Sequence, residues 1–334
     1  MTIPETTNQD LNISTASYRN LLWINIEQPT RREMDYIAEH YPFHALDLDD
    51  CLSRVQRPKI DRYDEYLFMV FHFPVFSKQA RVTTASQVAV FLGENYLITV
   101  HQGDLKPLSK FFRDCVANQD TRAANMSQSA GHLLYIVLDR LVNYCFPILN
   151  KIGSNIEEAD NKVFSGDPRD AVRELSILRR DVLSYRRIIR PQTEVFEWLE
   201  RNESSIIPEK EGSEFLSPDE LEEAEEIPVF GVYFGDLADH NRKILDTLDE
   251  YKEVIEGLND TNNTLVSFRT NQVMRILTIV STIMLPPTLI ASIYGMNIAL
   301  LPLSERPISF PVIILIMLAI VAGMLASFRW KHFI

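Results

Sequence analysis

Two long stretches without a charged residue, both near the C-terminus, most constrain the fold of this 334-residue chain. The first covers residues 276–304 and the second covers residues 307–328. A helix needs about 20 mostly apolar residues to cross the hydrocarbon core of a bilayer, and each stretch is longer than that. The alternative is a pair of buried helices in a soluble core, but such helices rarely run this long without charge. We therefore predict two membrane-spanning helices, at 274–294 and 308–328.

Basic residues flank these predicted spans on one side of the membrane. Arg269 and Arg275 precede the first span, whereas Arg329 and Lys331 follow the second. By the positive-inside rule both flanks are expected in the cytosol, with Arg306 in the connecting loop as the one contrary charge. The first ten residues are polar and lack an apolar signal segment, so the N-terminal domain is also expected there. This predicts a multi-pass protein of the cell (inner) membrane with both termini cytosolic.

The formal net charge of −13 is unevenly distributed along the chain. After residue 273 four basic residues and one acidic residue give +3, so the preceding part carries −16. So negative a surface repels nucleic acid and anionic lipid, and it raises the local concentration of cations. No nucleic acid is expected as a partner, and the contact with membrane lipid is expected from the two spans. Nine acidic residues lie within 209–226. A solvated linker or exposed helix is the commoner meaning of such a run, and a role in holding cations is the alternative.

The part before the spans has the pattern of an α+β domain over 18–230, preceded by a disordered N-terminus at 1–17. Runs rich in aromatic and β-branched residues predict strands, and a three-residue loop around Gly93 predicts a hairpin. A capping box formed by Thr30 and Glu33 starts a helix that runs to about Tyr41. After Leu105 only helical patterns remain. We predict a small sheet with helices on both sides; the strands are expected at 21–26, 66–76, 87–90 and 96–100, and the later helices at 133–163 and 170–190.

A helical pattern then runs without proline from about Val232 into the first span. One helix over 232–294 would have 63 residues and reach about 95 Å at 1.5 Å per residue. We predict that the segment 231–273 is a stalk that joins the α+β domain to the membrane. Pro286-Pro287 removes two backbone donors in the middle of the span, which favours a kinked helix beside water.

Small and semi-polar residues recur on one line of the first span, at alternating steps of three and four. Copies of this helix around an axis would place the line on the lumen of a pore, with Leu277 beside it forming a narrow apolar ring that excludes water. Ordinary helix packing in lipid uses the same residue types, so both interpretations stay open. The line consists of Asn271, Met274, Thr278, Ser281, Leu285, Thr288 and Ser292.

The first span ends in Tyr294-Gly295-Met296-Asn297, within a short loop at 295–307 that leads to the second span. In this position the motif resembles that of the CorA family of magnesium and cobalt transporters. The resemblance covers nearly the whole chain. It includes Trp23-Ile24-Asn25, Gln56-Arg57-Pro58-Lys59, Tyr233-Phe234 with Asp236 and Asp239-His240, and Thr270-Asn271-Gln272-Val273-Met274.

The resemblance implies a funnel-shaped homopentamer whose first spans line the pore. Gly295, Met296 and Asn297 would form the outer selectivity ring. Asp260 would be an acidic ring at the cytosolic end, and Asp236 would belong to a regulatory cation site between subunits. The residues expected to face the lumen are Asn271, Met274, Leu277, Leu285 and Thr288.

The chemistry of these residues suits magnesium, which keeps its waters and prefers oxygen ligands. A ring of Asn297 amides could hold the hydrated ion, and Gly295 lets the backbone approach it closely. Mg2+ is thus expected as both transported and regulatory ion, with Co2+, Ni2+ or Zn2+ as alternatives. Internal magnesium at Asp236 would hold the pore closed. Many family members carry an acidic residue soon after the motif; here Glu305 comes later, so recruitment of the ion is expected to be weaker or differently placed.

Three other functions compete with this interpretation. A zinc transporter of the same superfamily, proton-coupled or not, would share the fold, but Met296 favours magnesium or cobalt. A non-conducting scaffold of the same fold is the second. An enzyme is disfavoured because no nucleophile elbow, phosphate loop or histidine-rich metal motif is present. The three cysteines (Cys51, Cys115 and Cys145) have no metal-ligand spacing and are expected to be reduced.

Overall fold

The computed structural model describes residues 11–53, 56–165, 168–207, 233–296 and 309–330. Its strands are β1 (Ile13–Tyr18), β2 (Leu21–Glu27), β3 (Lys59–Arg62), β4 (Leu67–Ser77), β5 (Val82–Leu92) and β6 (Tyr96–His101). They form one sheet in the order β1-β2-β6-β5-β4-β3. β2 runs parallel to β6, and the other neighbours are antiparallel. The strands predicted from sequence and the hairpin between β5 and β6 are therefore confirmed.

The prediction of disorder through residue 17 is wrong for residues 13–17. These residues pair with β2 along the whole of β1, from Ile13 opposite Ile26 to Tyr18 opposite Leu21. The segment is mostly polar, apart from Ile13 and the buried Ala16. Its order comes from backbone hydrogen bonds to an apolar neighbour, which the polarity of the segment itself does not predict.

Helices cover both faces of the sheet, as predicted. On one face, α1 (Arg31–His40) and α2 (Ala45–Leu52) contribute Met34, Ile37 and Leu48 to a buried core with sheet residues. On the other face α3 (Lys106–Ala117) places Phe111 and Phe112 against Trp23, with ring centroids 5.1 and 4.9 Å away.

Helices make up the remainder of the described chain. They are α4 (Gln119–Met126), α5 (Ala130–Ser165), α6 (Pro168–Ile189), α7 (Thr193–Arg201), α8 (Glu203–Ile206), α9 (Tyr233–Tyr294) and α10 (Ser309–Trp330). α9 is one uninterrupted helix of 62 residues that includes Pro286 and Pro287. By contacts between residues, the chain divides into one unit through Asn259 and a second from Asp260 onward.

Three helices of the described chain, α5, α9 and α10, are long and apolar enough to cross a membrane. Half of the apolar window of α5 is buried in the first unit, whereas 6% of that of α9 and 0% of that of α10 are buried. The apolar side of α5 is accounted for by core residues such as Leu134, Leu138 and Leu141. Since exposed apolar surface of this extent is unstable in water, α9 and α10 are the candidate membrane helices.

Candidate metal centre and pore helix

A cluster of two carboxylates and one imidazole joins α5 to the first turns of α9. The ligand atoms of Asp139, Asp236 and His240 all lie within 4.8 Å of one another. Asp236 and His240 are four residues apart and so lie on one face of α9, where His240 Nδ1 is 3.6 Å from Asp236 Oδ2. Asp139 comes from α5, beside the buried Leu138. All three side chains are partly buried.

Asp139 is held in place by a neighbour on its own helix. Asn143 donates a hydrogen bond from Nδ2 to Asp139 Oδ1 at 2.8 Å. Burial raises the pKa of Asp139, and the charge of Asp236 adds to the rise, whereas His240 and the Asn143 hydrogen bond lower it. Two carboxylates are therefore held close together in a partly buried position. A bound cation would offset the repulsion between their negative charges.

The imidazole of His240 has a ring nitrogen near the cluster that makes no hydrogen bond among the described residues. The ring of Phe146 on α5 packs edge-on against the imidazole, with centroids 5.6 Å apart. Within the described chain, Nδ1 of His240 is buried and has no hydrogen-bond partner. A buried ring nitrogen without a partner is unusual, because leaving such a group unpaired costs about 1–3 kcal/mol.

The donor set fits one divalent cation. Magnesium–oxygen bonds are about 2.0–2.1 Å, so ligands on opposite sides of the ion lie about 4.2 Å apart, within the spread of these atoms. The two carboxylates suit magnesium and the imidazole suits a softer ion such as cobalt. Sequence reasoning had singled out Asp236 but had missed Asp139 and gave His240 no role as a ligand. The four-residue spacing of Asp236 and His240 could have suggested the second; nothing local marks Asp139.

The residues predicted to line a pore all lie on α9, and all are exposed. Met274, Leu277 and Leu285 are 55%, 57% and 66% exposed. The hydroxyl groups of Thr278 and Thr288 donate to the backbone oxygens four residues earlier, at 2.8 and 2.7 Å, so each keeps its oxygen as an acceptor. The side chains of this line are therefore exposed in the single chain. Their place on a lumen stays a prediction.

The predicted selectivity motif begins where α9 ends. Gly295 donates from its backbone to Ala291 O at 2.9 Å, and Met296 donates to Ile293 O at 3.3 Å. Asn297 lies outside the described residues, as do the loop at 298–306 and the acidic run at 209–226. Asp260 is exposed on α9 at the start of the second unit, apart from the cluster at Asp236 in the first.

Comparison with known proteins gives the same family from sequence and from structure. The model of the CorA-like Mg2+ transporter protein family matches residues 18–330. The cobalt/magnesium transport protein CorA of Thermotoga maritima is 30% identical over 316 residues, which cover 93% of this chain and 83% of that protein.

Two solved structures share the fold. The complete structure of the CorA magnesium transporter from Methanocaldococcus jannaschii has a TM-score of 0.73 at 22% identity, over 94% of this chain and 92% of that one. Full-length CmaX has a TM-score of 0.68 at 18% identity, over 92% and 88%. These matches confirm the predicted N-terminal sheet-and-helix domain, long helix and C-terminal helices. The chain belongs to the CorA-like Mg2+ transporter family, and it is accordingly a divalent-cation transporter with C-terminal apolar helices and not an enzyme.

Proposed function

We propose that this chain forms a magnesium channel whose opening is controlled by divalent cations at the Asp139–Asp236–His240 cluster. The observation that carries the proposal is the continuity of α9. Its first turns hold Asp236 and His240, and its last turn leads directly into Gly295 and Met296. A change in ion occupancy at one end therefore acts on the same helix that leads to the motif at the other.

The permeation path is a lumen formed by five copies of α9. Two apolar helices in one chain cannot enclose a channel, whereas five copies of the exposed line from Asn271 to Ser292 can. Gly295, Met296 and Asn297 form the outer ring that selects the hydrated ion. The Asp260 carboxylates form an acidic ring at the cytosolic end of the path. In this arrangement the stalk is 231–273, the spans are 274–294 and 308–328, and the loop at 295–307 faces away from the cytosol. The protein lies in the inner membrane, with the N-terminal domain and the basic tail at 329–334 in the cytosol.

Control follows from charge at the cluster. With a cation bound, Asp139 and Asp236 are neutralised and α5 and α9 are held together. When the ion leaves, the carboxylates repel each other and the hold of α5 on α9 weakens. Bound Mg2+ thus favours the closed pore, and the apolar residues Met274 and Leu277 supply the constriction that closes it.

Cobalt is the second ion favoured by an observation on this chain. The imidazole of His240 is a better ligand for Co2+ than for Mg2+, and its Nδ1 makes no hydrogen bond in the described chain. Regulation by cobalt at lower concentrations than magnesium is therefore expected, whichever of the two is carried in the cell.

Uptake by purified protein tests the transport proposal. Liposomes that contain a magnesium-sensitive dye should show uptake with the native chain, loss of uptake with Asn297→Ala, and near-native uptake with Ser304→Ala, a control in the same loop. No uptake by the native protein would instead support a non-conducting scaffold. Uptake of zinc driven by a proton gradient would support a zinc transporter.

The regulatory proposal needs a separate measurement. In patches from giant liposomes with the N-terminal domain facing the bath, bath Mg2+ should inhibit the native channel. Asp236→Asn should raise the half-inhibitory concentration about tenfold or more. The control Asp239→Asn removes an equally charged side chain from the same turn, one that is 72% exposed and lies outside the cluster. Equal sensitivity of native and Asp236→Asn channels would count against the cluster as the sensor.

A further inference from the structure

The carboxylate of Glu203, on the short helix α8, holds the first turn of α9. Tyr233 donates its backbone N–H to Glu203 Oε1 at 3.3 Å, and Phe234 donates to Oε2 at 3.0 Å. Glu203 is 7% exposed and Phe234 is 0% exposed. In the described chain no basic side chain forms an ion pair with Glu203.

The charge of Glu203 is therefore balanced by the helix end. The first N–H groups of an α-helix have no partner within the helix, and the N-terminus carries a partial positive charge. A carboxylate that accepts two of these N–H groups makes charge-assisted hydrogen bonds, which are shorter and stronger than neutral ones. Both oxygens of Glu203 are used, which sets the rotation as well as the position of the first turn.

Further contacts from α7 secure the third turn of α9. Asn241 donates from Nδ2 to Thr193 Oγ1 at 3.1 Å, and Arg242 NH2 lies 3.4 Å from Glu200 Oε2. Asn241 is 2% exposed, whereas the contact between Arg242 and Glu200 lies at the surface.

The same short helix also fits closely against α5. A Cβ atom added to Gly131, in the first turn of α5, would overlap the backbone oxygen of Ile206. α8 thus contacts both helices that carry the cluster, near Gly131 on α5 and at Tyr233 and Phe234 on α9. Asp139 lies about two turns beyond Gly131, and Asp236 lies two residues beyond Phe234.

We propose that Glu203 is a positioning residue for the cation cluster: by capping α9 with both carboxylate oxygens it sets Asp236 and His240 opposite Asp139. This inference rests on the regulatory role proposed above for the cluster. Glu203 itself does not bind the ion. It acts through the backbone of Tyr233 and Phe234, and its loss leaves all three ligands in the chain but no longer held at the spacing that suits one cation.

The test uses the full-length protein in giant-liposome patches, with Mg2+ titrated on the side of the N-terminal domain. Each flux is normalised to the same variant's rate without bath Mg2+, so the number of channels does not enter. Glu203→Gln replaces one acceptor oxygen by a donor that opposes the N–H groups of α9. The half-inhibitory Mg2+ concentration should rise about tenfold, the effect expected for an outer-shell partner of a metal site. Glu197→Gln is the matched control, since Glu197 pairs with Arg201 on α7 and forms no hydrogen bond or ion pair with α9 among the described residues.

Glu203→Asp keeps the charge but shortens the side chain, and should give a half-inhibitory Mg2+ concentration between the native value and that of Glu203→Gln. A general loss of stability would not produce this partial recovery with the conservative variant. If Glu203→Gln fails to assemble, the Asp variant decides: an intermediate value supports the assignment and a native value overturns it. A native value in Glu203→Gln, next to a raised value in Asp236→Asn, overturns the role of Glu203 alone. A native value in both variants overturns the regulatory cluster and, with it, this inference.

Discussion

At the scale of single residues, the cluster places an acid of an apolar helix beside a second carboxylate and an imidazole. Asp139 lies among buried leucines on α5, where burial raises the pKa of its carboxyl. Asn143 and His240 act against that rise and favour the ionised form, in which a carboxylate can bind a cation. A bound cation would likewise favour the charged form.

Asp139→Asn should therefore make the channel less sensitive to magnesium on the side of the N-terminal domain. We expect the half-inhibitory concentration to rise by more than about tenfold, because even outer-shell partners of metal ligands affect affinity 10- to 100-fold. Patch recordings of normalised flux measure it. Glu157→Gln, an exposed acid on the same helix, should keep the native value. A native value in Asp139→Asn would exclude Asp139 as a ligand.

A second buried carboxyl gives a prediction about pH. Asp181 on α6 is 3% exposed and accepts a hydrogen bond from the backbone N–H of Thr83 at 2.5 Å. Burial raises its pKa, and the Thr83 hydrogen bond only partly offsets the rise. The folded protein therefore holds this proton to higher pH than the unfolded chain, so Asp181 makes folding less favourable as pH rises above about 4.

Asp181→Asn keeps an oxygen to accept from Thr83 but has no charge to bury. Relative to the native protein, it should gain unfolding stability as pH rises from about 4 toward neutrality, and the difference should level off above the raised pKa. Thermal unfolding in detergent across this range measures the difference. Asp170→Asn, exposed on the same helix, is the control. A difference that does not change with pH would contradict the shifted pKa.

At the scale of elements, packing decides between helices of similar composition. α5, α9 and α10 all satisfy the length and hydropathy of a membrane span. α5 is buried along its apolar face by the remainder of the first unit, while α9 and α10 expose theirs. An apolar stripe that finds a protein partner belongs to a core, and one that finds none requires lipid or another copy of the chain.

Substitution of Gly131 tests the close packing of α5 against α8, and substitution of Gly257 on α9 is the comparison at an open position. Gly131→Ala should destabilise the protein by about 1–3 kcal/mol, because the added methyl group overlaps the backbone oxygen of Ile206, which cannot move as a side chain can. Gly257→Ala on α9 should stabilise it by about 0.5–1 kcal/mol, since its Cβ would meet nothing within 4 Å and alanine favours a helix. Denaturant unfolding in detergent compares the two. Equal effects would mean that the α5–α8 contact is looser than described.

At the scale of the whole molecule, the proposed pore requires more than one chain. Each chain supplies two exposed apolar helices, one of which carries a line of small and polar side chains. Polar groups that face lipid are costly, so this line is expected to face other copies of itself around water.

The proposed pentamer should have the mass of five chains of 38.5 kDa each. Native mass spectrometry from detergent measures it directly. Leu285→Asp would place a charge on the predicted lumen and should preserve the assembly, whereas Leu315→Asp, on the exposed surface of α10, should disrupt membrane insertion. A protein that conducts as a monomer or dimer would contradict the pentamer.

Features set by local sequence could be predicted without the structure. The two uncharged stretches, the helix from Tyr233 to Tyr294 and the motif at its end depend on hydropathy, periodicity and order along the chain, and each is visible in one window of residues. The capping box of Thr30 and Glu33 is of the same kind and is present as predicted. The order of β1 was missed because its stability comes from pairing with β2.

Other features depend on which distant segments meet, and only the tertiary structure decided them. Asp139 lies next to Asp236 because α5 packs against the first turns of α9. The separation of the two residues along the sequence does not predict this contact. Glu203 caps α9 from a separate helix for the same reason. Sequence alone thus determined that the chain has a membrane helix with a cation motif, because those signals are local. The neighbours of Asp236 could be found only from the tertiary structure, because burial brings α5, α8 and α9 together.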